Sequence, residues 1–355
     1  MSEKRLFYRN LIRISLPIAL QSLMLAMVAA CDALMLGRVA QEQMTAVSLA
    51  TQVQFVQNMF LSAATAAGAI LGAQYWGKGD RRALEDIFDL MLLFCGAVSL
   101  LFFLSCELCP GVLMWIFADD AGLIRVGSAY LKIAGWSYLI TGISQCYLTI
   151  MKVTEKVRAG ALISSIAVIL NIVLNGVFIF GLFGMPALEA RGAALATTMA
   201  RIAELSICLF VSAGADFVRP AISRMFGISK ELVGDFFKQC LPLMGGGLCW
   251  GVGFTSYTAI MGHMGVDAAA ANSVAAVVRD LVCCMCNGIG SAAGIIVGNE
   301  LGAGRLKTGK TYGDRVTFLA FVCGVVSSAL MFALYTIKDD EVPMMEQEIA
   351  SRKVA

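Results

Sequence analysis

The stretch AGALISSIAVILNIVLNGVFIFGLF, Ala159–Phe183, indicates the fold class most clearly. It contains no charged side chain, and it is longer than the roughly 20 apolar residues that a helix needs to cross a bilayer. Its apolar residues do not alternate with polar ones, as those of a membrane β-strand would. The stretch therefore predicts a membrane-spanning α-helix, in which Asn171 and Asn175 are the two amide side chains.

The whole chain has the composition of a membrane protein. Of its 355 residues, 59% are hydrophobic and only 15% are charged, and the mean hydropathy is +0.78. A soluble domain carries about 25% charged residues, so a soluble enzyme is excluded. The net charge of +2 indicates no bulk attraction to nucleic acid. We expect an all-α polytopic membrane protein that is not an enzyme.

The chain contains nine candidate spans of sufficient length and apolarity. They are Ile14–Leu36, Thr45–Ala73, Ile87–Phe117, Gly127–Met151, Ala159–Phe183, Gly192–Ala213, Phe236–Gly262, Ala268–Gly298 and Thr317–Ile337. We expect the third to be shorter than the range given.

Basic residues precede the first span and follow each even-numbered span. They are Lys4, Arg5, Arg9, Arg13, Lys78, Arg81, Arg82, Lys152, Lys156, Arg158, Arg219, Arg224, Lys230, Lys238, Arg305, Lys307, Lys310 and Arg315. Cytoplasmic loops carry an excess of Lys and Arg. This pattern predicts a cytoplasmic N-terminus and supports the number of spans.

The sequence contains an internal repeat. Leu16-Pro17 recurs as Leu241-Pro242, and the shift that superposes these two motifs also places Gly77-Lys78-Gly79 on Gly302-Ala303-Gly304. Both copies begin on the predicted cytoplasmic side, so the repeat is parallel. Transporters are commonly built from such duplicated bundles.

The repeat divides the chain into four parts. We predict a six-helix lobe at residues 1–213, a cytoplasmic linker at 214–235, a partial second lobe of three helices at 236–337, and a polar tail at 338–355. Ser229 is the expected N-cap of the helix that leads into the seventh span. Because the first copy has six spans and the second only three, we expect a C-terminal truncation.

These motifs together resemble those of the multidrug and toxic compound extrusion (MATE) transporters, from about Arg5 to Arg315. They are Leu16-Pro17, the segment Cys31–Gly37, Gly72-Ala73-Gln74, the segment Gly77–Asp80, the segment Asn171–Asn175, Ile179-Phe180-Gly181, the segment Arg191–Thr197 and the segment Gly298–Gly304. The resemblance implies twelve helices in two six-helix lobes. It also implies cation-coupled export of organic, often cationic, compounds across a bacterial inner membrane.

Asp32 is the first candidate for coupling. A carboxylate inside a span costs about 2.5–3.5 kcal/mol on insertion scales, so it usually faces a cavity. Without a cationic partner nearby, it can bind a proton or Na⁺, and it matches the family's aspartate in span one. The alternative is a solvated residue near the outer headgroups. Pro17 is a candidate hinge, or else an ordinary proline of the first turn.

Asn171 and Asn175 are one helical turn apart and share a face. Their amide oxygens could bind a cation, or the side chains could serve only to join helices. Many family members have an aspartate at the second position, so the resemblance implies one carboxylate fewer here.

Trp250, Tyr257 and Arg279 are candidates for a substrate cavity. The spacing of Trp250 and Tyr257 places them on one helix face, where they could stack on a flat cation or merely pack. Arg279 lies within the eighth span and could contact substrate or pair with a carboxylate. Arg201 and Glu204, at i and i+3, are expected to neutralise each other.

No motif implies a cofactor, a metal or a nucleotide. The segment Gly304–Thr311 fits the P-loop pattern, but a predicted spanning helix precedes it where a strand is required. The single histidine, His263, and the spacing of the cysteines do not match a zinc site.

We therefore predict an antiporter that exports organic, cationic compounds and is driven by H⁺ or Na⁺. Its partners would be a small organic molecule and the lipid bilayer, with no nucleic acid. Two alternatives stay open: a flippase for lipid-linked precursors of the same superfamily, which would need a strongly basic cavity, and a truncated, non-transporting fragment.

Overall fold

The computed structural model describes residues 3–39, 41–117, 121–184, 186–214, 217–221, 227–263 and 266–354. These residues form ten α-helices and one short 3-10 turn, and no strand occurs among them. The helices are α1 (Glu3–Val39), α2 (Gln41–Lys78), α3 (Arg81–Leu108), α4 (Pro110–Trp115), α5 (Ala121–Val153), α6 (Val157–Phe180), α7 (Glu189–Ser212), α8 (Lys230–His263), α9 (Val266–Gly302) and α10 (Leu306–Val354).

Seven helical segments in the described part of the chain are long and apolar enough to cross a membrane. They lie in α1, α2, α3, α6, α7, α9 and α10. The predicted spans Gly127–Met151 and Phe236–Gly262 lie in α5 and α8, so each of the nine has most of its length in a long helix. The all-helical fold class is confirmed.

The third span is shorter than its range, as predicted, and the fifth ends before Phe183. Ile87–Phe117 is not one helix, because α3 ends at Leu108 and Cys109 leaves the helical conformation. Pro110 causes this break, since the residue before a proline is disfavoured in the α region. The fifth span ends at Phe180 because Gly181 adopts a left-handed conformation, with φ of 70°, and caps α6.

Helix α5 is the centre of the first lobe. It packs against α2, α3 and α7, while α6 packs against both α7 and α1. The fully buried residues Met91 of α3 and Met151 of α5 belong to one apolar core. Helix α5 also buries four hydroxyl side chains that bond to carbonyls of their own helix, namely Ser137, Thr141, Ser144 and Thr149.

The repeat is visible in backbone geometry. Helices α2 and α9 are both followed by a glycine with positive φ, which is 82° at Gly79 and 74° at Gly304. In each case the glycine amide and the next amide bond back to the last turn, at Trp76 and Tyr75 in one copy and at Leu301 and Glu300 in the other. These are matching Schellman-type ends at equivalent positions of the two repeat copies.

Helices α2 and α9 also cross each other at these ends. A Cβ atom at Gly77 would overlap the carbonyl oxygen of Asn299, and one at Gly302 would overlap that of Gln74. In the repeat, Gly77 corresponds to Gly302, and Gln74 corresponds to Asn299. The two contacts are therefore equivalent and are related by a local two-fold axis. Gly298 lies against Ala73, its own repeat partner, and a Cβ atom on the glycine would be 2.8 Å from the alanine Cβ.

The linker is attached to the first lobe where it is described. The Arg81 side chain donates to the Phe217 carbonyl at 2.7 Å, and the Ala221 amide donates to the Asp89 carboxylate at 3.1 Å. The Ser229 hydroxyl accepts from the Leu232 amide at 3.3 Å, so the predicted N-cap of α8 is confirmed.

Candidate functional site

Helices α6 and α7 enclose a buried amide cluster. The Asn175 side chain donates to Asn171 Oδ1 at 3.1 Å, and the Asn171 side chain donates to Thr197 Oγ1 at 3.2 Å. Asn171 is 5% exposed and Asn175 is fully buried. The two asparagines therefore belong to one hydrogen-bonded cluster, and Thr197 of α7 is its third member.

A second polar chain lies further along the same two helices, toward the predicted cytoplasmic side. The Gln21 amide of α1 donates to Ser164 Oγ at 2.7 Å, and Ser164 donates to Glu204 Oε1 at 3.3 Å. The Arg201 guanidinium donates to the other oxygen, Oε2, at 2.8 Å. The predicted Arg201–Glu204 pair is thus confirmed, and Glu204 also connects α7 to α6.

The contact between Gln21 and Ser164 sets the register of α1 on α6. Val157, at the start of α6, lies in one apolar cluster with Ile14 and Ile18 of α1, so the two helices run parallel. The number of residues from Gln21 to position 32 equals the number from Ser164 to position 175. This spacing is about three turns, which returns each helix to nearly the same face.

The backbone of α1 therefore brings position 32 level with Asn175, about 16 Å from the Gln21 contact. The Asp32 side chain lies outside the described residues.

Pro17 lies well inside α1, which begins at Glu3 and continues to Val39. The alternative of an ordinary proline in the first turn is therefore wrong. Because proline has no amide hydrogen, the carbonyl four residues earlier lacks its helical donor. This makes Pro17 a point where α1 is weakened, one turn before Gln21. Pro242 occupies the same interior position in α8.

An aromatic row joins the two lobes. Trp250 stacks on Phe254 with ring centroids 5.5 Å apart, and Phe55 of α2 lies 6.0 Å from Trp250. The Arg279 guanidinium sits 4.6 Å above the Phe254 ring. Trp250 is 58% exposed. Phe254 thus connects the predicted residues Trp250 and Arg279, whereas the Tyr257 side chain lies outside the described part of the structure.

Sequence reasoning missed Gln21, Ser164, Thr197 and Phe254 as site residues. Two of these carry a periodic signal, since Gln21 precedes Asp32 by about three helical turns and Phe254 is one turn after Trp250. Ser164 and Thr197 carry none, because uncharged hydroxyls are common in helices and only packing shows which of them bond across.

A cavity of about 350 Å³ opens at the predicted cytoplasmic ends of the helices. Arg13, Glu155, Arg158, Asn299 and Tyr312 are among the residues that line it. The Asn299 amide donates to Glu155 Oε1 at 3.1 Å, and this contact joins the 154–156 turn to α9 beside the cavity.

The P-loop-like segment does not form a phosphate loop. Helix α9 precedes it, and the segment becomes helical again from Leu306, at the start of α10. Arg305 is bonded to Glu300. Within the described ranges, no three His, Cys, Asp or Glu side chains come together as metal ligands would.

The fold and sequence match known proteins. A Listeria monocytogenes protein named "Probable multidrug resistance protein NorM" is 25% identical over 336 residues, which cover 92% of this chain and 72% of that protein. A structure described as MATE in the bent conformation superposes with a TM-score of 0.80 at 17% identity. A MOP superfamily transporter from Pyrococcus furiosus gives 0.79 at 18% identity. Each of these two matches covers 91% of this chain and 72% of the chain in the solved structure.

The family comparison agrees with the repeat. The MatE family model matches residues 17–177 and 242–337, which is more than half of the chain. The two matched blocks begin at Pro17 and at Pro242, the two equivalent prolines of the repeat. The chain therefore belongs to the MatE family, the multidrug and toxic compound extrusion transporters.

Proposed function

We propose that this protein is a secondary antiporter that exports organic compounds, cationic ones above all, in exchange for H⁺ or Na⁺. Membership of the MatE family supports a transporter, and the name of the Listeria relative supports multidrug export. The basic loops support a cytoplasmic N-terminus in a bacterial inner membrane. An ion gradient supplies the driving force, so the proposal requires no nucleotide or other cofactor.

The observation that carries the proposal is the shared register of α1 and α6. It puts position 32 level with the buried pair Asn171 and Asn175. A carboxylate beside amide oxygens can hold a proton or coordinate Na⁺, since both ligand types are oxygens and one is ionisable. We therefore assign the coupling site to Asp32 together with these two asparagines.

Substrate would bind near the aromatic row. The exposed Trp250 indole lies beside Phe55 of the first lobe, at the boundary between the two sets of helices. Aromatic faces attract flat cations, most strongly at tryptophan. Arg279 already occupies the Phe254 face, so the open part of the row is Trp250.

The mechanism follows from these positions. Binding of H⁺ or Na⁺ at Asp32 neutralises a charge on α1, and Pro17 is the place where α1 can bend in response. Ion entry and substrate release would then be coupled through one helix. The test is export of ethidium, a flat organic cation, from proteoliposomes under an imposed H⁺ or Na⁺ gradient.

A further inference from the structure

The chain from Gln21 through Ser164 to Glu204 is buried along its whole length. Gln21 is 6% exposed, Ser164 is 2% exposed and Glu204 is 1% exposed. It connects three helices, α1, α6 and α7, through two side-chain hydrogen bonds. The other carboxylate oxygen accepts from Arg201 at 2.8 Å. Every link is therefore shielded from competing water.

Glu204 determines which hydrogen bonds the Ser164 hydroxyl can form. A hydroxyl has one hydrogen to donate, and an ionised carboxylate can only accept. Ser164 gives its hydrogen to Glu204, so it presents lone pairs to the neighbouring helix. The Gln21 side chain fits this arrangement, because it meets Ser164 with its NH₂ group. The ion pair with Arg201 engages Oε2 and leaves Oε1 to Ser164.

The hydrogen-bonded chain of Gln21, Ser164 and Glu204 holds α1 just beyond Pro17. Pro17 weakens α1, and Gln21 lies one turn beyond it, on the side that leads to Asp32. Without the hydrogen bond between Gln21 and Ser164, the outer part of α1 could bend at Pro17 independently of α6. With it, position 32 is held level with Asn175.

We propose that Gln21, Ser164 and Glu204 are positioning residues that hold the outer part of α1 against α6, and that they thereby set the affinity of Asp32 for the coupling ion. This inference rests on the proposed antiport function. None of the three residues touches the ion; they act through the placement of α1.

The experiment measures the H⁺ or Na⁺ concentration at which bound ethidium is half released from the purified protein. Ser164→Ala removes both hydrogen bonds, whereas Ser164→Thr keeps the hydroxyl. Ser165→Ala is the matched control, since Ser165 has no side-chain hydrogen bond among the described residues. Thermal unfolding of each variant is recorded in parallel.

We expect Ser164→Ala to shift the midpoint by about fivefold in ion concentration, as the loss of one typical hydrogen bond would. Ser164→Thr should restore it, and Ser165→Ala should leave it unchanged. In an Asp32→Asn background neither ion should release ethidium, with or without Ser164→Ala, although Ser164→Ala should still lower the unfolding temperature.

An unchanged midpoint in Ser164→Ala, with only a lower unfolding temperature, would show a purely structural role and overturn the proposal. A shift of equal size in the Asp32→Asn background would do the same. Failure of the antiport function itself would look different, because ethidium release from the wild type would then respond to neither ion.

Discussion

Gln21 of α1 donates a 2.7 Å hydrogen bond to Ser164 of α6, and both side chains are buried. This single contact between parallel helices brings Asp32 and Asn175 to the same level, because each follows its partner in the contact at the same spacing. The relationship connects a sequence signal, an acidic residue in a span, to a pair of buried amides. The coupling site proposed here depends on it.

The crossing of α2 and α9 should tolerate no side chain at its glycines. Gly302→Ala would force a Cβ atom against the Gln74 carbonyl, and overpacking of this kind costs about 1–3 kcal/mol. We expect amide hydrogen exchange at residues 70–80 and 295–305 to become about 5- to 150-fold faster. Gly290→Ala on the same helix is the control, since nothing lies within 4 Å of its Cβ position. Equal exchange in both variants would argue against a tight crossing.

The ion pair of Arg201 and Glu204 should stabilise the first lobe. Arg201→Leu leaves a buried carboxylate without its cation, and breaking a buried pair costs about 3–5 kcal/mol. We expect a clearly lower unfolding temperature in detergent, with partial recovery in Arg201→Lys. Arg125→Leu, at an exposed arginine of α5, should unfold like the wild type. If the Arg201 and Arg125 variants are equally stable, the pair contributes nothing.

Trp250 should contribute to substrate affinity. Its ring stacks with Phe254 and remains 58% exposed, and an aromatic stack contributes about 0.5–1.5 kcal/mol beyond area burial. We expect Trp250→Ala to raise the apparent KM for ethidium about two- to tenfold, and Trp250→Phe to raise it less. Trp115→Ala, at an exposed tryptophan of α4, serves as the comparison. An unchanged KM in Trp250→Ala would place the substrate elsewhere.

Asp89 should hold the linker on the first lobe. Its carboxylate is fully buried and accepts from the Ala221 amide, and a hydrogen bond to a charged group contributes about 1.5–3 kcal/mol. We expect Asp89→Leu to accelerate amide exchange at Ala221 by about tenfold or more. Asp89→Asn retains an acceptor oxygen and should change it less. Slow exchange in the leucine variant would show that other contacts suffice.

The sequence predicted the helical fold well because each span is a long apolar run, and the recurrence of Leu16-Pro17 at Leu241-Pro242 revealed the repeat. Helix ends were less accurate. The break at Cys109 follows from Pro110, a local signal that a hydropathy criterion overlooks. The crossing at Gly77 and Gly302 could not be predicted, because glycine repeats do not show which helices approach each other.

The candidate site was predictable only in part. Asn171 and Asn175 meet as expected from their spacing, since one helical turn brings them together. Thr197, Ser164 and Gln21 join the network through contacts between helices, and these depend on packing and register. The linkage of Trp250 to Arg279 through Phe254 likewise depends on how α8 lies against α9.

The most direct test of the central claim is gradient-driven export of ethidium from proteoliposomes containing the wild type, Asp32→Asn or the control Asp235→Asn, an exposed aspartate at the start of α8. We predict that the H⁺- or Na⁺-dependent rate falls about tenfold or more in Asp32→Asn, as for a group that acts in the transport step itself. The rate should be unchanged in Asp235→Asn. An Asp32→Asn protein that exports ethidium at the wild-type rate under the same gradient would contradict the account.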